Sequence, residues 1–255
     1  MLYDTFVNQF IIKGVLEAVD PIHIGASAKD SLNPIEVDSS VLKDAAGNPI
    51  IPGASLKGVV RTKMESIFKG IGKRVCDIHN RDDSKCISKE TDKALKKIEN
   101  EKERAETAYE KSCDICKLFG GIAFAGKLHF KDAYYLGDTP CAYEHRDGVG
   151  INRDTGAAKK GVKYDFEVIP KGTRFDFVMT AENLTDDQIA CLNLIIDLLC
   201  GEGLTTEDFL SVGGKTSRGL GRIRLLFPDG RENGIRKTTA EDIRKRLDSY
   251  LQKEA

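Results

Sequence analysis

The sequence predicts an α+β domain with the split βαβ order of a ferredoxin-like fold, enlarged by long insertions. Two observations carry this. Apolar periodicity switches between two and 3.6 residues in the order strand, helix, strand, strand, helix, strand. The connecting stretches are charged or glycine-rich and exceed the roughly 12–15 residues of an ordinary long loop. At 255 residues, 40% of them hydrophobic, the chain can bury a sizeable core.

Residues 5–19 (TFVNQFIIKGVLEAV) are rich in β-branched and aromatic side chains and stop at Asp20-Pro21, which reads as a first strand. A loop over about 21–51 follows. Pro52-Gly53 then opens a helix in which Leu56, Val59, Val60, Met64, Ile67 and Phe68 recur at helical spacing, with Gly70 as its stop. Residues 71–112 read as an insertion. The part from Ser88 to Ser112 holds seven basic and seven acidic residues, so it suits a solvated helix, with Lys97/Glu101 and Lys102/Glu106 as i,i+4 pairs. Strand character returns at 127–135, lapses over the polar, glycine-rich stretch 137–163, and resumes at 164–169 and 173–180. Residues 186–200 form an apolar helix ending at Gly201; 220–227 is a last strand and 239–254 a charged terminal helix.

With 39 basic and 40 acidic residues the net charge is −1, which by itself favours neither nucleic acid nor an acidic substrate. No apolar run approaches the roughly 20 residues of a membrane span, and MLYDTFVNQF lacks a basic and then apolar leader. A soluble, cytoplasmic protein without a membrane partner is expected.

Seven cysteines without an export signal point to metal binding or burial rather than disulfides. Cys76 and Cys86 precede the charged helix and Cys113-Asp-Ile-Cys116 follows it, so folding back the helix would close a tetrahedral structural zinc site. His79 is a possible substitute for Cys86. The polar helix before CDIC and LFGG after it do not suit a thioredoxin-like redox motif. Cys191 and Cys200 read as core residues.

Gly213-Gly214-Lys215-Thr216-Ser217 is not a P-loop: Phe209 stands where the first glycine belongs, and a strand follows. Its glycines do allow close backbone approach. Lys215 and Arg218, with Thr216 and Ser217 between them and no acidic residue from 213 to 225, suit a phosphate backbone. The helix start PGASLKGVVR offers Ser55, Lys57 and first-turn amides for a phosphate, with Arg61 one turn on. Between Arg146 and Lys163 the cations Arg146, Arg153, Lys159, Lys160 and Lys163 outnumber Asp147 and Asp154, giving a basic finger. Composition alone reads loop 23–44, with Asp30, Glu36, Asp38 and Asp44, as a solvated polar segment. A carboxylate there beside RNA could nevertheless position a divalent ion or a 2′-hydroxyl.

Several stretches together resemble the RAMP superfamily of CRISPR-associated proteins, in particular backbone subunits of type III effector complexes and their zinc-containing, III-D-related members. They are IHIGAS (22–27), EVDSSVLKD (36–44), IIPGASLKGVVR (50–61), CDICKLFG (113–120), RDGVGINRDTGAAKKGVKYDFEVIPKGTRF (146–175) and GGKTSRGLGRIRL (213–225), in the family's order. The resemblance implies one domain: a modified ferredoxin-like, RRM-type palm (1–70, 127–136, 164–227), a zinc-binding insertion (71–126), a β-hairpin thumb (137–163) and the C-terminal helix. It implies copies of the chain and other type III subunits assembled along a CRISPR RNA, with thumbs displacing nucleotides of the guide–target duplex.

It further implies metal-dependent cleavage of complementary target RNA, with Mg²⁺ or another divalent ion, at a loop aspartate. Asp38 matches that position, and Asp30 is the rival because KDSLNP (29–34) departs from a shorter glycine-rich stretch. PGASLK and GGKTSRG become neighbouring phosphate grips. Two other readings are a catalytically inactive backbone subunit and a stand-alone CRISPR RNA processing nuclease using His23 or His145.

Overall fold

The computed structural model describes residues 4–26, 39–77, 85–121, 124–203 and 208–251. Its centre is an antiparallel sheet built on β1 (Asn8–Ala18), whose alternation buries Phe10, Ile12, Leu16 and Ala18 on one face. Along one side β1 pairs through nine positions with β7 (Arg174–Glu182), which turns Phe175, Phe177, Met179 and Ala181 into the same core. Two short strands share its other side: β9 (Arg222–Leu226) on the C-terminal half and β10 (Ile235–Thr239) on the N-terminal half. With β3 (Leu128–Phe130) beyond β7 and β8 (Leu210–Ser211) beyond β9, the order is β3-β7-β1-β9-β8.

Helix α1 (Gly53–Gly70) places Leu56, Val60, Met64 and Phe68, each four residues apart, on this core. At about 1.5–3 kcal/mol for each large side chain removed from water, that face supplies on the order of 6–12 kcal/mol before entropy is counted. Helix α5 (Asp186–Cys200) packs on the same core through Leu192, Ile195, Ile196, Leu198 and Leu199. It starts in a Thr185/Gln188 capping box and ends at Gly201 in the left-handed conformation.

Several boundaries differ from the sequence expectation. The charged insertion holds two helices, α2 (Lys89–Leu95) and α3 (Glu101–Lys111), because the Asn100 side chain accepts from the amides of Lys102 and Glu103 and starts a new helix. Lys97 therefore lies between helices, and Lys102 pairs with Asp4 instead of Glu106. The stretch 127–135 divides into β3 and β4 (Ala133–Tyr134). The latter pairs with β2 (Ile50–Ile51) outside the main sheet. The break falls where Asp132 accepts the Gly53 amide, and where a Cβ on Gly53 would sit 2.3 Å from the Phe130 carbonyl.

The stretch 137–163 is also more regular than its polarity suggested. Strands β5 (Glu144–Ile151) and β6 (Ala158–Val168) form a separate antiparallel hairpin, irregular between Val149 and Ile151. It runs on through 164–168, where its root residues Phe166 and Val168 are buried. The terminal helix α6 (Ala240–Leu251) is capped by Thr239 and Asp242 and keeps Ile243, Leu247 and Tyr250 exposed.

Candidate nucleic-acid interface and metal centre

His23 lies in the segment after β1, and three other segments meet on it. Its Nδ1 is 2.7 Å from the Glu167 carbonyl at the hairpin root, and its Nε2 is 3.1 Å from Ser39 Oγ. A carbonyl can only accept, so Nδ1 carries the proton and Nε2 takes the serine hydroxyl. Its own carbonyl accepts the Gly214 amide at 2.8 Å, which seats the glycine-rich loop. Gly213 has φ +87°, and a Cβ there would meet that carbonyl at 2.3 Å, so only glycine fits. His23 is 4% exposed. Burial, reinforced by the Lys215 cation, holds it below the usual histidine value against the Glu167 hydrogen bond.

Glu167 is the second node. It is buried and charged, and its carboxylate accepts the Val41 amide at 3.0 Å and the Lys43 ammonium at 2.8 Å. Segment 39–43 is thereby fixed between the hairpin root and residues 22–26, with Glu167 N donating to Ser39 O and Ala26 N to Ser40 O. Both ends of the intervening stretch are held together beside His23. Asp38 and Asp30, the two sequence candidates for catalysis, lie in 27–38, outside the described residues.

The glycine-rich loop presents its cations at the hairpin root. Lys215 adopts φ +60° and sets its ammonium 4.3 Å from the centre of the Phe166 ring; Arg218 donates to the Tyr164 hydroxyl. Tyr164 and Phe166 stack at 6.1 Å. Thr216, Ser217 and Arg218 form one exposed turn of 3₁₀ helix. Arg153 is exposed at the hairpin tip. Arg146 on β5 makes a surface ion pair with Glu144 at 3.1 Å, of a kind worth about 0–1 kcal/mol and easily exchanged for a phosphate.

At the start of α1, Ser55 and Lys57 are half-buried. Burial, then the Arg61 cation, holds the Lys57 ammonium below the usual lysine range. One expectation changes here. The first-turn amides are not all free, since Gly53 N goes to Asp132 and Ser55 N to the Pro52 carbonyl. Arg61, one turn on, donates to Glu65 at 2.8 Å, to the Gly120 carbonyl at 3.2 Å and to Cys116 Sγ at 3.4 Å.

Cys116 belongs to a cluster with Cys76, Cys86 and Cys113, whose four sulfurs all lie within 4.8 Å of one another. Cys113 caps the short helix α4 (Asp114–Phe119) and Cys116 sits in its first turn. Cys76 Sγ is 3.2 Å from Cys116 Sγ and 3.8 Å from Cys113 Sγ, and the Cys113 amide donates to Cys86 Sγ at 3.1 Å. Burial pushes the Cys86 thiol up to about 12. Hydrogen bonding with Cys113 and Cys76 pushes the Cys116 thiol up, while hydrogen bonding with Cys116 and Cys76 pulls Cys113 down. Four thiols so packed cannot all ionise without a cation among them. Tetrahedral bonds of about 2.3 Å would set sulfurs about 3.8 Å apart, which this cluster fits. Of the sequence candidates, Cys86 completes the set; His79 lies outside the described residues.

Ser39, Glu167, Tyr164 and Phe166 were not singled out from the sequence. Glu167 had a usable signal: a single acid inside the apolar run FEVI demands a buried partner. Ser39 had none, since its contact is with a residue 16 positions away.

A family model described as the RAMP superfamily matches residues 15–224. The chain is also similar to the protein named CRISPR system Cms endoribonuclease Csm3 of Methanocaldococcus jannaschii. The two are 25% identical over 268 residues, covering 98% of this chain and 95% of that protein.

Proposed function

Because the chain belongs to the RAMP superfamily, we propose that it is a CRISPR RNA-binding backbone subunit of a type III effector complex and that it cleaves complementary target RNA. The observation that carries the proposal is the meeting at His23 of the glycine-rich loop, the hairpin root and the chain that continues from Asp38. RNA held by Lys215, Thr216, Ser217 and Arg218, with Ser55 and Lys57 on α1, would run past that junction. Similarity to an endoribonuclease over nearly the whole chain supports the same reading. In it, β3-β7-β1-β9 with α1 and α5 is the ferredoxin-like palm, and the β5–β6 hairpin, carrying Arg146 and Arg153, is the thumb.

Cleavage is assigned to Asp38, with Asp30 as the rival. Ser39, next in the chain to Asp38, hydrogen-bonds the buried imidazole of His23, so the chain is fixed in position at residue 39. Glu167 is already shared between Val41 and Lys43, so a divalent ion would take its carboxylate from 27–38 rather than from the hairpin root. When bound, such an ion activates the attacking oxygen and neutralises charge at phosphorus. Both ring nitrogens of His23 are engaged and the ring is buried, which suits positioning better than the acid/base role of a stand-alone processing nuclease.

The cysteine cluster is proposed to hold structural zinc: four thiolates with no open position are the donor set of a structural site. The proposed partners are CRISPR RNA, complementary target RNA, further copies of the chain and other type III subunits.

The test is co-expression with a CRISPR RNA and purification through the tagged protein. Retention of the guide and Mg²⁺-dependent cutting of complementary RNA are expected. Metal-independent cutting within unprocessed repeat RNA by the lone chain would overturn the assignment.

A further inference from the structure

We propose that Arg61 is an outer-sphere partner of the four-cysteine metal centre, and that through it the centre fixes helix α1; this rests on the reading that the cysteines bind a metal. The guanidinium makes three bonds in three directions: Nη2 to Cys116 Sγ at 3.4 Å, Nη1 to the Gly120 carbonyl at 3.2 Å, and Nε to Glu65 at 2.8 Å. Its side chain is only 14% exposed, and that of Glu65 only 19%. The Gly120 carbonyl belongs to the residue that closes α4, whose first turn carries Cys116. Arg61 thus grips both ends of the six-residue helix that presents one of the ligands.

Charge gives the grip its purpose. Four thiolates around a divalent ion carry a net charge of 2−, and three of these four cysteines are buried, where an uncompensated dianion is costly. A cationic N–H pointed at one sulfur withdraws part of that charge, as the Cys113 amide does for Cys86. A planar guanidinium can meet a sulfur, a carbonyl and a carboxylate at once, whereas an ammonium on a flexible stem cannot hold all three.

Arg61 is six residues from Ser55 on the same helix, about 9 Å along its axis. A metal centre that fixes Arg61 therefore also fixes the end of α1 that carries Ser55 and Lys57. Arg61 acts as a positioning residue and not as an RNA contact.

The experiment uses the full chain and the variants Arg61→Ala, Arg61→Gln and Arg61→Lys. Zinc affinity is read by competition with a chromophoric chelator, thiolate-to-metal charge transfer in the Co²⁺-loaded protein by absorption, and guide RNA binding at saturating zinc as a function of salt. Arg61→Ala and Arg61→Gln should lose about 10–100-fold in zinc affinity, the usual cost of an outer-sphere partner. Arg61→Lys should recover only part of it. The Co²⁺ charge-transfer band should move to lower energy as the sulfur loses its hydrogen bond. At saturating zinc the salt slope of RNA binding should match the parent's, because no phosphate contact is lost, while RNA affinity falls severalfold as the end of α1 that carries Ser55 and Lys57 loses its anchor.

Unchanged zinc affinity in all three variants, with a shallower salt slope, would return Arg61 to the phosphates and overturn the inference while leaving the zinc reading intact. Less than half an equivalent of zinc in the parent protein would overturn both. If Arg61→Ala loses its helical circular dichroism, the same measurements on Arg61→Gln and Arg61→Lys decide.

Discussion

The ion pair between Glu167 and Lys43 holds the chain just past Asp38, and its loss should be measurable apart from RNA. The Glu167 side chain is 7% exposed and that of Lys43 32%, at an Nζ–Oε1 distance of 2.8 Å. Val41 N and Lys43 use different oxygens of Glu167, so in Glu167→Gln one of the two donors faces an NH2 instead of an acceptor. A hydrogen bond to a charged group contributes about 1.5–3 kcal/mol. Partial exposure of Lys43 screens this, leaving about 1–2 kcal/mol. A double-mutant cycle of Glu167→Gln with Lys43→Met, read by urea unfolding, should return a coupling of that size. In the assembled complex Glu167→Gln should slow target cleavage more than it weakens guide binding, because the bond it removes anchors the segment after Asp38. A coupling below about 0.3 kcal/mol, or equal losses in binding and cleavage, would show that this ion pair does not anchor the segment.

Three further outcomes are expected. Cys116→Ser, or zinc removal by a chelator, should strip hydrogen-exchange protection from α3 and α4 while β1 and β7 keep theirs, since a structural zinc contributes on the order of 10 kcal/mol to what it folds; unchanged protection in α4 would contradict this. Burial holds His23 below its ordinary value of 6.5, so as pH falls through 6.5 the unfolded chain takes up the proton first and stability declines. His23→Asn should remove that part of the pH dependence of the urea midpoint between pH 7.5 and 5.5, and a full slope in the variant would exclude His23 as its source. Lys215→Ala and Arg218→Ala should each lower the salt slope of guide RNA binding by about 0.7, the single-strand value per phosphate contact, without base preference; an effect confined to one RNA sequence would contradict phosphate contact.

What could be read from the sequence was what periodicity encodes. The alternation of β1 and β7 and the four-residue spacing of Leu56, Val60, Met64 and Phe68 both survive in the core because one face of each element is buried. The cysteine set was legible because C-x-x-C spacing and a return helix are local features. Contacts set by chain reversal were not. The contact of Arg61 with Cys116, 55 positions away, depends on the arrival of α4 beside α1, which no local pattern encodes. The β5–β6 hairpin lacks apolar alternation because both its faces are largely solvated along 144–163, so its polarity read as loop. Lys127 shows the same limit. It is 2% exposed, and its ammonium is held by the Asn183 carbonyl at 2.6 Å and Gln188 Oε1 at 2.8 Å, neither of which is near it in sequence.

Under the proposed function this chain carries the cleaving group for target RNA at Asp38, next in sequence to Ser39. The most direct test is the rate of cutting of complementary RNA by complexes assembled with the parent chain, Asp38→Ala or Asp30→Ala, each with Mg²⁺ and with a chelator. Cutting by the parent and by Asp30→Ala only with Mg²⁺, and none by an Asp38→Ala complex that still retains its guide, is the predicted result. Undiminished cutting by Asp38→Ala together with loss in Asp30→Ala would move the site, and undiminished cutting by both would remove cleavage from this subunit.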